Sequence, residues 1–298
     1  MTEQQPLVSI VIPCYNHAQF VQETIQSVID QDYENIELIV IDDGSKDKSI
    51  EVIKEMIHTC ETRFNRFEFR YRPNKGLSAT LNEALQWCNG KYVSCLASDD
   101  LIKSFKISSQ VNFLQSNEAY VGVFGGIDIL HKDGSTSCTI GTSQAYNFEQ
   151  IIKHKYCLPA PTQLLCLNKV KEVGGFREGF IIEDWVMWLD LSKDGDLLYF
   201  DSNPVASYRR HDGNLSGQLD RMLDGRIQIL NEFKNSEFYK DAKANLYMVQ
   251  GFDTQVFSKL GSIKYVYKSI CIQPSKIFTR DFAVYIAKLL LNKKNILG

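Results

Sequence analysis

The sequence has 298 residues, of which 44% are hydrophobic and 23% are charged, and its formal net charge is −3. This composition excludes a largely disordered chain and gives no electrostatic reason to expect a nucleic-acid partner. The eight cysteines are scattered without any Cys-x-x-Cys pair, which favours buried free thiols over disulfides or a zinc site.

Two hydrophobic periods alternate through the first hundred residues. Four apolar runs have the pattern of strands buried on both faces of a sheet, at residues 7–12, 36–41, 67–71 and 92–96. Between these runs, apolar side chains recur at helical spacing around residues 20–29, 50–57 and 77–88. The alternation predicts an α/β fold with right-handed crossovers and a doubly wound, mostly parallel sheet. Ligands of such sheets bind at the carboxyl ends of the strands.

The rest of the chain mixes the two patterns. Short apolar runs predict further strands at residues 120–124, 127–131, 197–200 and 205–209. Asp133-Gly134 is typical of a turn, and residues 183–193 have a helical pattern. Beyond about Gly217 the pattern is helical up to the C-terminus. The sequence therefore predicts a C-terminal helical segment after the α/β region.

Polar side chains follow each of the first four predicted strands. The loops after these strands contain Pro13-Cys14-Tyr15-Asn16, Asp42-Asp43-Gly44-Ser45, Arg72-Pro73-Asn74-Lys75-Gly76 and Ser98-Asp99-Asp100. An ordinary turn or a helix cap explains any one of these loops taken alone. Four such loops at the carboxyl ends of strands in one sheet converge on one crevice, which favours a ligand site.

The residue types in these loops fit a nucleotide and a metal ion. Tyr15 offers a ring on which a base can stack, and the carboxylate of Asp43 can accept the imide hydrogen of uracil or thymine. The Asp99-Asp100 pair suits a hard divalent cation, which binds oxygen ligands together with substrate phosphates. Such an ion neutralises the charge that builds up on a leaving nucleotide diphosphate.

Taken in order, these motifs resemble those of the family-2 inverting glycosyltransferases, which have the GT-A fold. The matching segments in the first half are residues 8–16, 39–47, 74–79 with Asn82, and 97–100. Later motifs of the same family match Gly174-Gly175-Phe176, Glu183-Asp184-Trp185 and Tyr208-Arg209-Arg210-His211. The resemblance implies a Rossmann-like GT-A fold, a metal cofactor (Mn²⁺ or Mg²⁺) and transfer of a sugar from a nucleotide diphosphate to an acceptor hydroxyl.

The resemblance also implies how the chain is divided and which substrates it takes. Residues 1–102 form the half that binds the nucleotide-sugar, 103–217 the acceptor-binding and catalytic half of the same domain, and 218–298 a C-terminal helical region. The expected donor is a UDP-sugar, ahead of a dTDP- or GDP-sugar. The expected acceptor is a saccharide or lipid-linked saccharide in bacterial surface polysaccharide synthesis, as of O-antigen or capsule.

Individual roles follow from the same resemblance. Asp184 is implied as the general base that takes the acceptor's proton, in preference to Glu183, and the anomeric carbon is inverted. Nucleotide contacts are expected from Pro13, Tyr15, Asn16, Asp43, Lys75 and Asp99. Metal contacts are expected from Asp100, Asp99 and His211. Diphosphate or acceptor contacts are expected from Glu183, Trp185, Arg209 and Arg210.

One position departs from the family pattern. The metal motif is often written Asp-x-Asp, and Ala97 stands at its first position here. Asp99 and Asp100 then share the ribose and metal contacts, and we expect Asp100 on the metal and Asp99 towards the ribose. Simpler alternatives stay open for other residues: a helix dipole explains acidic residues at 183 and 184, and Trp185 fits a core position equally well.

Other functional classes fit less well. A pyrophosphorylase or a dehydrogenase requires a glycine-rich nucleotide loop, and no such motif occurs in the sequence. A nucleotide-sugar-binding pseudoenzyme or assembly subunit without turnover stays open. The retention of Asp184, the aspartate pair and His211 together speaks against it.

The two ends of the sequence carry information about where in the cell the protein lies. The first six residues are polar and show no secretory signal pattern, so we expect a cytoplasmic protein. Residues 285–294 set an apolar cluster beside lysines. This pattern is typical of a segment at the inner face of a membrane, and equally of a helix that packs on the catalytic domain or on a second copy in a homo-oligomer.

Overall fold

The structure is a computed structural model that describes residues 5–139 and 141–291. The chain forms two compact units. The first comprises Met1–Asn147, Cys157–Gly179 and Glu183–His211, and the second comprises Phe148–Tyr156, Phe180–Ile182 and Asp212–Gly298, as far as these ranges are described.

The first unit holds all ten strands of the described chain. They are β1 (Val8–Cys14), β2 (Ile36–Asp42), β3 (Arg66–Tyr71), β4 (Tyr92–Cys95), β5 (Leu101–Ile102), β6 (Tyr120–Leu130), β7 (Thr136–Thr139), β8 (Gln144–Tyr146), β9 (Leu164–Cys166) and β10 (Leu197–Arg209). Its helices are α1 (Val21–Ile29), α2 (Ser49–Arg63), α3 (Leu77–Trp87), α4 (Lys106–Ser116), α6 (Leu167–Glu172) and α7 (Glu183–Ser192). The helices of the second unit are α5 (Phe148–Ile152), α8 (Leu219–Glu232), α9 (Tyr239–Gln255), α10 (Lys259–Ile272) and α11 (Arg280–Leu290).

The strands form one mixed sheet whose first part is parallel. Its order is β3-β2-β1-β4-β9-β6-β10-β5, with β7 beside β6 and β8 beside β10. The first four strands run parallel, β9 is antiparallel to both β4 and β6, and β6 is parallel to β10. The predicted α/β class and mostly parallel sheet are confirmed. The β3 strand is only half-buried, however, because it forms an edge of the sheet.

In two cases, two strands that the sequence predicts as separate are parts of one continuous strand. The predicted strands at 120–124 and 127–131 are both part of β6, and those at 197–200 and 205–209 are both part of β10. The register between β6 and β10 shifts near Pro204. There the β10 backbone crosses so close to β6 that a side chain at Gly126 would lie 2.6 Å from the Ser202 carbonyl oxygen. The glycines of β6 therefore make room for this irregular crossing, and they do not end a strand.

A fully buried lysine joins α4 to the middle of the sheet. The Lys106 ammonium group donates to the Ser94 hydroxyl at 2.9 Å and to the Gln163 carbonyl oxygen at 3.0 Å. Ser94 lies on β4, and Gln163 directly precedes β9. Burial lowers the pKa of Lys106 to about 7, because the charged form loses its hydration. The sequence did not single out this residue.

The lowered pKa of Lys106 predicts how stability depends on pH. Between pH 7 and 10.5 the unfolded chain binds a proton at this lysine that the folded chain does not, so its contribution to stability rises with pH. The free energy of unfolding of the wild type, minus that of Lys106→Met, should increase by about 1.4 kcal/mol per pH unit in this window. Urea denaturation of both proteins at several pH values measures this difference, in which other titrating groups cancel. Parallel pH profiles would contradict the assignment.

The second unit has its own small core. Met248, Val266 and Tyr285 are buried together, and side chains from α9 and α11 pack around them. Tyr285 is on the C-terminal segment for which the sequence left membrane contact and packing open, so the inner face of α11 packs on its own unit. Residues 292–294 of that segment lie outside the described residues. Within the described part of the chain, no helix is both long and apolar enough to cross a bilayer.

Candidate active site

Three side chains from separate loops meet at the carboxyl end of the sheet. Asp99 follows β4, His17 follows β1 and His211 follows β10. The Asp99 carboxylate lies 2.8 Å from Nε2 of His211 and 4.0 Å from Nδ1 of His17. The ring of Phe20 stacks on His211, with 4.9 Å between the ring centroids. Asp99 and His211 were predicted site residues, and the fold brings them together.

The geometry of this cluster fits one divalent cation. Each side chain offers one ligand atom, and these atoms all lie within 4.8 Å of one another. Two ligand atoms that are each about 2.2 Å from one ion are at most about 4.4 Å apart, so only a small shift is required. Two imidazole nitrogens and a carboxylate oxygen suit a divalent first-row metal. Burial lowers the pKa of His17 against the opposing effect of Asp99, which favours the neutral ring that a metal requires.

Sequence reasoning missed His17, although it stands directly after the predicted loop residue Asn16. Its Nδ1 lies 2.7 Å from the Ser98 hydroxyl, and its backbone N–H donates to the Ser49 hydroxyl at 2.9 Å. The available signal was its position, since a histidine after the first strand lies at the same sheet edge as an aspartate after the fourth.

Asp100 has a different position from Asp99. Its Oδ1 accepts a hydrogen bond from the backbone N–H of Arg209 at 3.0 Å, and the side chain is 1% exposed. Burial and the neighbouring Asp99 charge raise the pKa of Asp100 well above its usual range. The structure therefore places Asp99, and not the expected Asp100, in the histidine cluster.

The two predicted arginines differ in their environment. The Arg209 guanidinium group forms an ion pair with Glu23 at 2.5 Å, and its Nε donates to the Asp99 carbonyl oxygen at 3.0 Å. It therefore ties the Asp99 loop to α1. Arg210 is exposed, and its backbone N–H donates to the Leu130 carbonyl oxygen at 2.9 Å. A diphosphate contact thus fits Arg210 better than Arg209.

The Asp43 carboxylate holds the loop that follows β3. It accepts hydrogen bonds from the backbone N–H groups of Lys75 at 2.8 Å and Gly76 at 2.9 Å, and it forms an ion pair with Arg72. Each carboxylate oxygen can accept two hydrogen bonds, so these contacts do not use the full capacity of the carboxylate. Recognition of a base by Asp43 therefore stays a prediction. The side chain of Lys75 is exposed.

Asp42 and Asn16 shape the loops after β2 and β1, and the nucleotide contact expected of Asn16 stays a prediction. The Asp42 carboxylate accepts from the Ser45 backbone N–H at 2.8 Å, so the simple turn explains this residue. The Asn16 side-chain oxygen accepts from the Lys46 N–H at 2.8 Å, which joins the first loop to the second. The backbone of Asn16 is left-handed, with φ of 55°.

Tyr15 and Pro13 lie at the end of β1, and they differ in exposure. Pro13 is half-buried within β1, while Tyr15 just beyond the strand is 44% exposed. The Tyr15 ring is therefore accessible for stacking on a base.

The acidic pair at the start of α7 lies near the end of β4. Burial is the main cause of the raised pKa of the Cys95 thiol, and the nearby Glu183 carboxylate adds to it. Burial and the charge of Asp184 raise the pKa of Glu183 to about 8. Asp184 accepts a hydrogen bond from the Trp185 backbone N–H at 2.6 Å. Trp185 is 1% exposed, so its ring has the core position, and the acceptor-contact alternative is not retained.

Comparison with known sequences finds a matching protein family and similar proteins. Residues 9–155 match the family described as Glycosyl transferase family 2. The chain is 26% identical to an Escherichia coli protein named UDP-Glc:alpha-D-GlcNAc-diphosphoundecaprenol beta-1,3-glucosyltransferase WfaP, over 85% of this chain and 96% of that protein. Other relatives are longer than this chain. The alignment with an uncharacterized glycosyltransferase of Rickettsia felis, for example, covers 34% of that protein.

Solved structures show the same fold. Alignment with S. aureus TarS 1-349 in complex with UDP-GlcNAc gives a TM-score of 0.65 at 16% identity and covers 95% of this chain and 89% of that one. Alignment with the mannosyltransferase PcManGT from Pyrobaculum calidifontis, in complex with GDP-Man and Mn²⁺, gives 0.63 at 15% identity and covers 96% and 86%. The predicted GT-A fold is confirmed.

Proposed function

The chain belongs to glycosyltransferase family 2, and on this premise we propose that it transfers a hexosyl or N-acetylhexosaminyl group from a UDP-sugar to a hydroxyl group of a saccharide or lipid-linked saccharide. A dTDP- or GDP-sugar is the less favoured donor. The observation that carries the proposal is the histidine–aspartate cluster of His17, Asp99 and His211 at the same sheet edge as the exposed ring of Tyr15.

We assign a divalent cation to this cluster, and Mn²⁺ in preference to Mg²⁺. Imidazole nitrogen is a poor ligand for Mg²⁺, which prefers oxygen, and two of the three ligands here are imidazoles. Mn²⁺ in the similar mannosyltransferase structure supports the assignment. When bound, the ion supplies positive charge that stabilises the leaving diphosphate.

The donor is assigned to residues 1–102, where Tyr15 stacks on the base and Lys75 lies near the phosphates, and Arg210 in the loop after β10 adds a contact to the diphosphate. UDP-sugars in the names of WfaP and of the TarS complex support a uridine donor. Residues 103–217 are assigned to the acceptor, and 218–298 to a helical region outside the catalysis. The lipid-linked substrate in the name of WfaP supports a similar acceptor in bacterial surface polysaccharide synthesis.

We assign Asp184 as the general base. Burial and the charge of Asp184 raise the pKa of Glu183, so at neutral pH Glu183 mostly carries a proton and Asp184 is the carboxylate of the pair. Asp184 takes the proton of the acceptor hydroxyl group. At the same time the hydroxyl oxygen bonds to the anomeric carbon, and the bond from that carbon to the diphosphate breaks. The anomeric carbon is inverted, because attack comes from the face opposite the leaving group.

Release of nucleoside diphosphate from a panel of UDP-, dTDP- and GDP-sugars, with Mn²⁺ or Mg²⁺, tests this proposal. We expect UDP release that is faster with Mn²⁺, and a product of inverted configuration by NMR. Binding of UDP without turnover of any donor would instead identify a nucleotide-sugar-binding pseudoenzyme.

Removal of the Tyr15 ring should weaken nucleotide binding. Stacking of a base on an aromatic side chain contributes about 1–3 kcal/mol, so Tyr15→Ala should weaken UDP binding about 5- to 150-fold. Calorimetry of UDP and GDP measures this loss and the expected preference of the wild type for UDP. Tyr267→Ala removes an exposed tyrosine of the second unit and should leave UDP binding unchanged. Equal affinity of the wild type for UDP and GDP would count against pyrimidine recognition.

A further inference from the structure

The helix α10 has apolar side chains on its exposed face as well as on its buried one. Its exposed stripe contains side chains that recur at helical spacing, namely Leu260, Ile263, Lys264, Tyr267 and Lys268. The opposite face, which packs inside the second unit, includes the fully buried Ser262 and Ser269. The same buried face contributes Tyr265 and Val266 to the unit's interior, so packing on its own core does not account for the apolar side chains of the exposed stripe, which require a separate explanation.

More exposed apolar side chains lie at the N-terminal end of α10. The turn before the helix presents Val256 and Phe257, and Phe257 is 75% exposed while Leu260 is 82% exposed. The Lys259 ammonium group donates to the Leu289 carbonyl oxygen at 2.9 Å. This bond holds the end of α11, with its exposed Leu290, beside the turn. We call Val256, Phe257, Leu260, Ile263, Tyr267 and Leu290 the α10 surface.

Exposed cationic side chains outnumber exposed anionic ones around the α10 surface. Residues 254–291 contain six basic residues and one acidic residue. One of the six, Lys276, is buried and paired with Asp241, whereas Lys264, Lys268, Arg280 and Lys288 are exposed. Lys264 and Lys268 are exposed within the stripe itself. A symmetric contact with a second copy would set this positive surface against itself, which is unfavourable. An anionic partner with an apolar interior has the complementary chemistry.

We propose that the α10 surface docks on an anionic lipid bilayer. Phe257 and Leu260 enter the boundary between headgroups and acyl chains, and Lys264 and Lys268 lie near the lipid phosphates. Docking on a bilayer brings the enzyme to a lipid-linked acceptor. This benefit rests on the proposed function, whereas the docking itself does not. The sequence pointed to residues 285–294, and among the described residues the structure adds Val256, Phe257, Leu260, Ile263 and Tyr267, which are exposed on α10 and the turn before it.

Sedimentation of the full chain with vesicles tests the docking directly. We expect it to bind phosphatidylcholine vesicles that contain phosphatidylglycerol, and to bind pure phosphatidylcholine much more weakly. Phe257→Ser and Leu260→Ser should each weaken binding by about tenfold, and Lys264→Gln by about fivefold. Phe105→Ser, at an exposed phenylalanine of the first unit, is the matched control and should bind as the wild type does.

Two measurements keep the result independent of catalysis. The melting temperature and UDP release with a soluble acceptor should stay unchanged in Phe257→Ser and Leu260→Ser, because both side chains are exposed. Absence of vesicle binding by the wild type, or equal binding by Phe257→Ser and Leu260→Ser, would overturn the proposal. So would a wild-type dimer in solution that Phe257→Ser converts to a monomer, since the surface would then be an interface between copies. A wild type that binds vesicles but turns over no donor would contradict only the proposed function.

Discussion

Asp184→Asn should lower turnover by about 10²- to 10⁴-fold, because the amide keeps the shape of the side chain but cannot accept a proton. Affinity for UDP should change little, since this carboxylate acts on the acceptor and not on the nucleotide. Steady-state UDP release in the presence of acceptor, with calorimetry of UDP, measures the two effects separately.

Glu183→Gln is the matched control for this experiment. Since burial and Asp184 raise the pKa of Glu183 to about 8, the native side chain is mostly a neutral acid at pH 7, which glutamine closely resembles. Its turnover should therefore stay within a few-fold of the wild type. The reverse result, with Glu183→Gln inactive and Asp184→Asn active, would make Glu183 the base.

Asp99→Asn should abolish metal-dependent turnover and metal binding together. It removes the charged ligand of the cluster with His17 and His211. The affinity for Mn²⁺ should fall by at least about 100-fold, since loss of a second-shell partner alone typically costs 10- to 100-fold. Electron paramagnetic resonance of Mn²⁺ measures binding without reference to activity, and excess EDTA should stop UDP release by the wild type.

Asp100→Asn distinguishes the two neighbouring aspartates. An amide oxygen can still accept the hydrogen bond from the Arg209 N–H, so this variant should retain Mn²⁺ binding. The sequence alone favoured Asp100 as the metal ligand. Loss of Mn²⁺ binding in Asp100→Asn, with binding retained in Asp99→Asn, would restore that assignment.

The sequence by itself determined the alternation of strands and helices in the first hundred residues and the sheet edge at which the candidate site lies. Parallel strands buried on both faces leave an unmistakable run of apolar residues, and the loops after them lie at one sheet edge whatever the details of packing. This logic identifies the loops of Tyr15, Asp43 and Asp99 from the residues alone. It did not detect β9, since a strand of three residues is too short to show a period.

The tertiary structure decided which side chains meet and which faces are covered. Adjacent residues such as Asp99 and Asp100 point in different directions, so their order along the chain does not tell which one faces the histidines. His17 and His211 are far apart in sequence, and only the folded sheet, with the ends of β1, β4 and β10 at one edge, brings them to the same carboxylate. For α10, the helical period gives two alternating faces but does not tell which is buried. Packing buried Val266 together with the two serines and left Leu260 and Tyr267 exposed, because the inner face must fit the small core around Met248 and Tyr285.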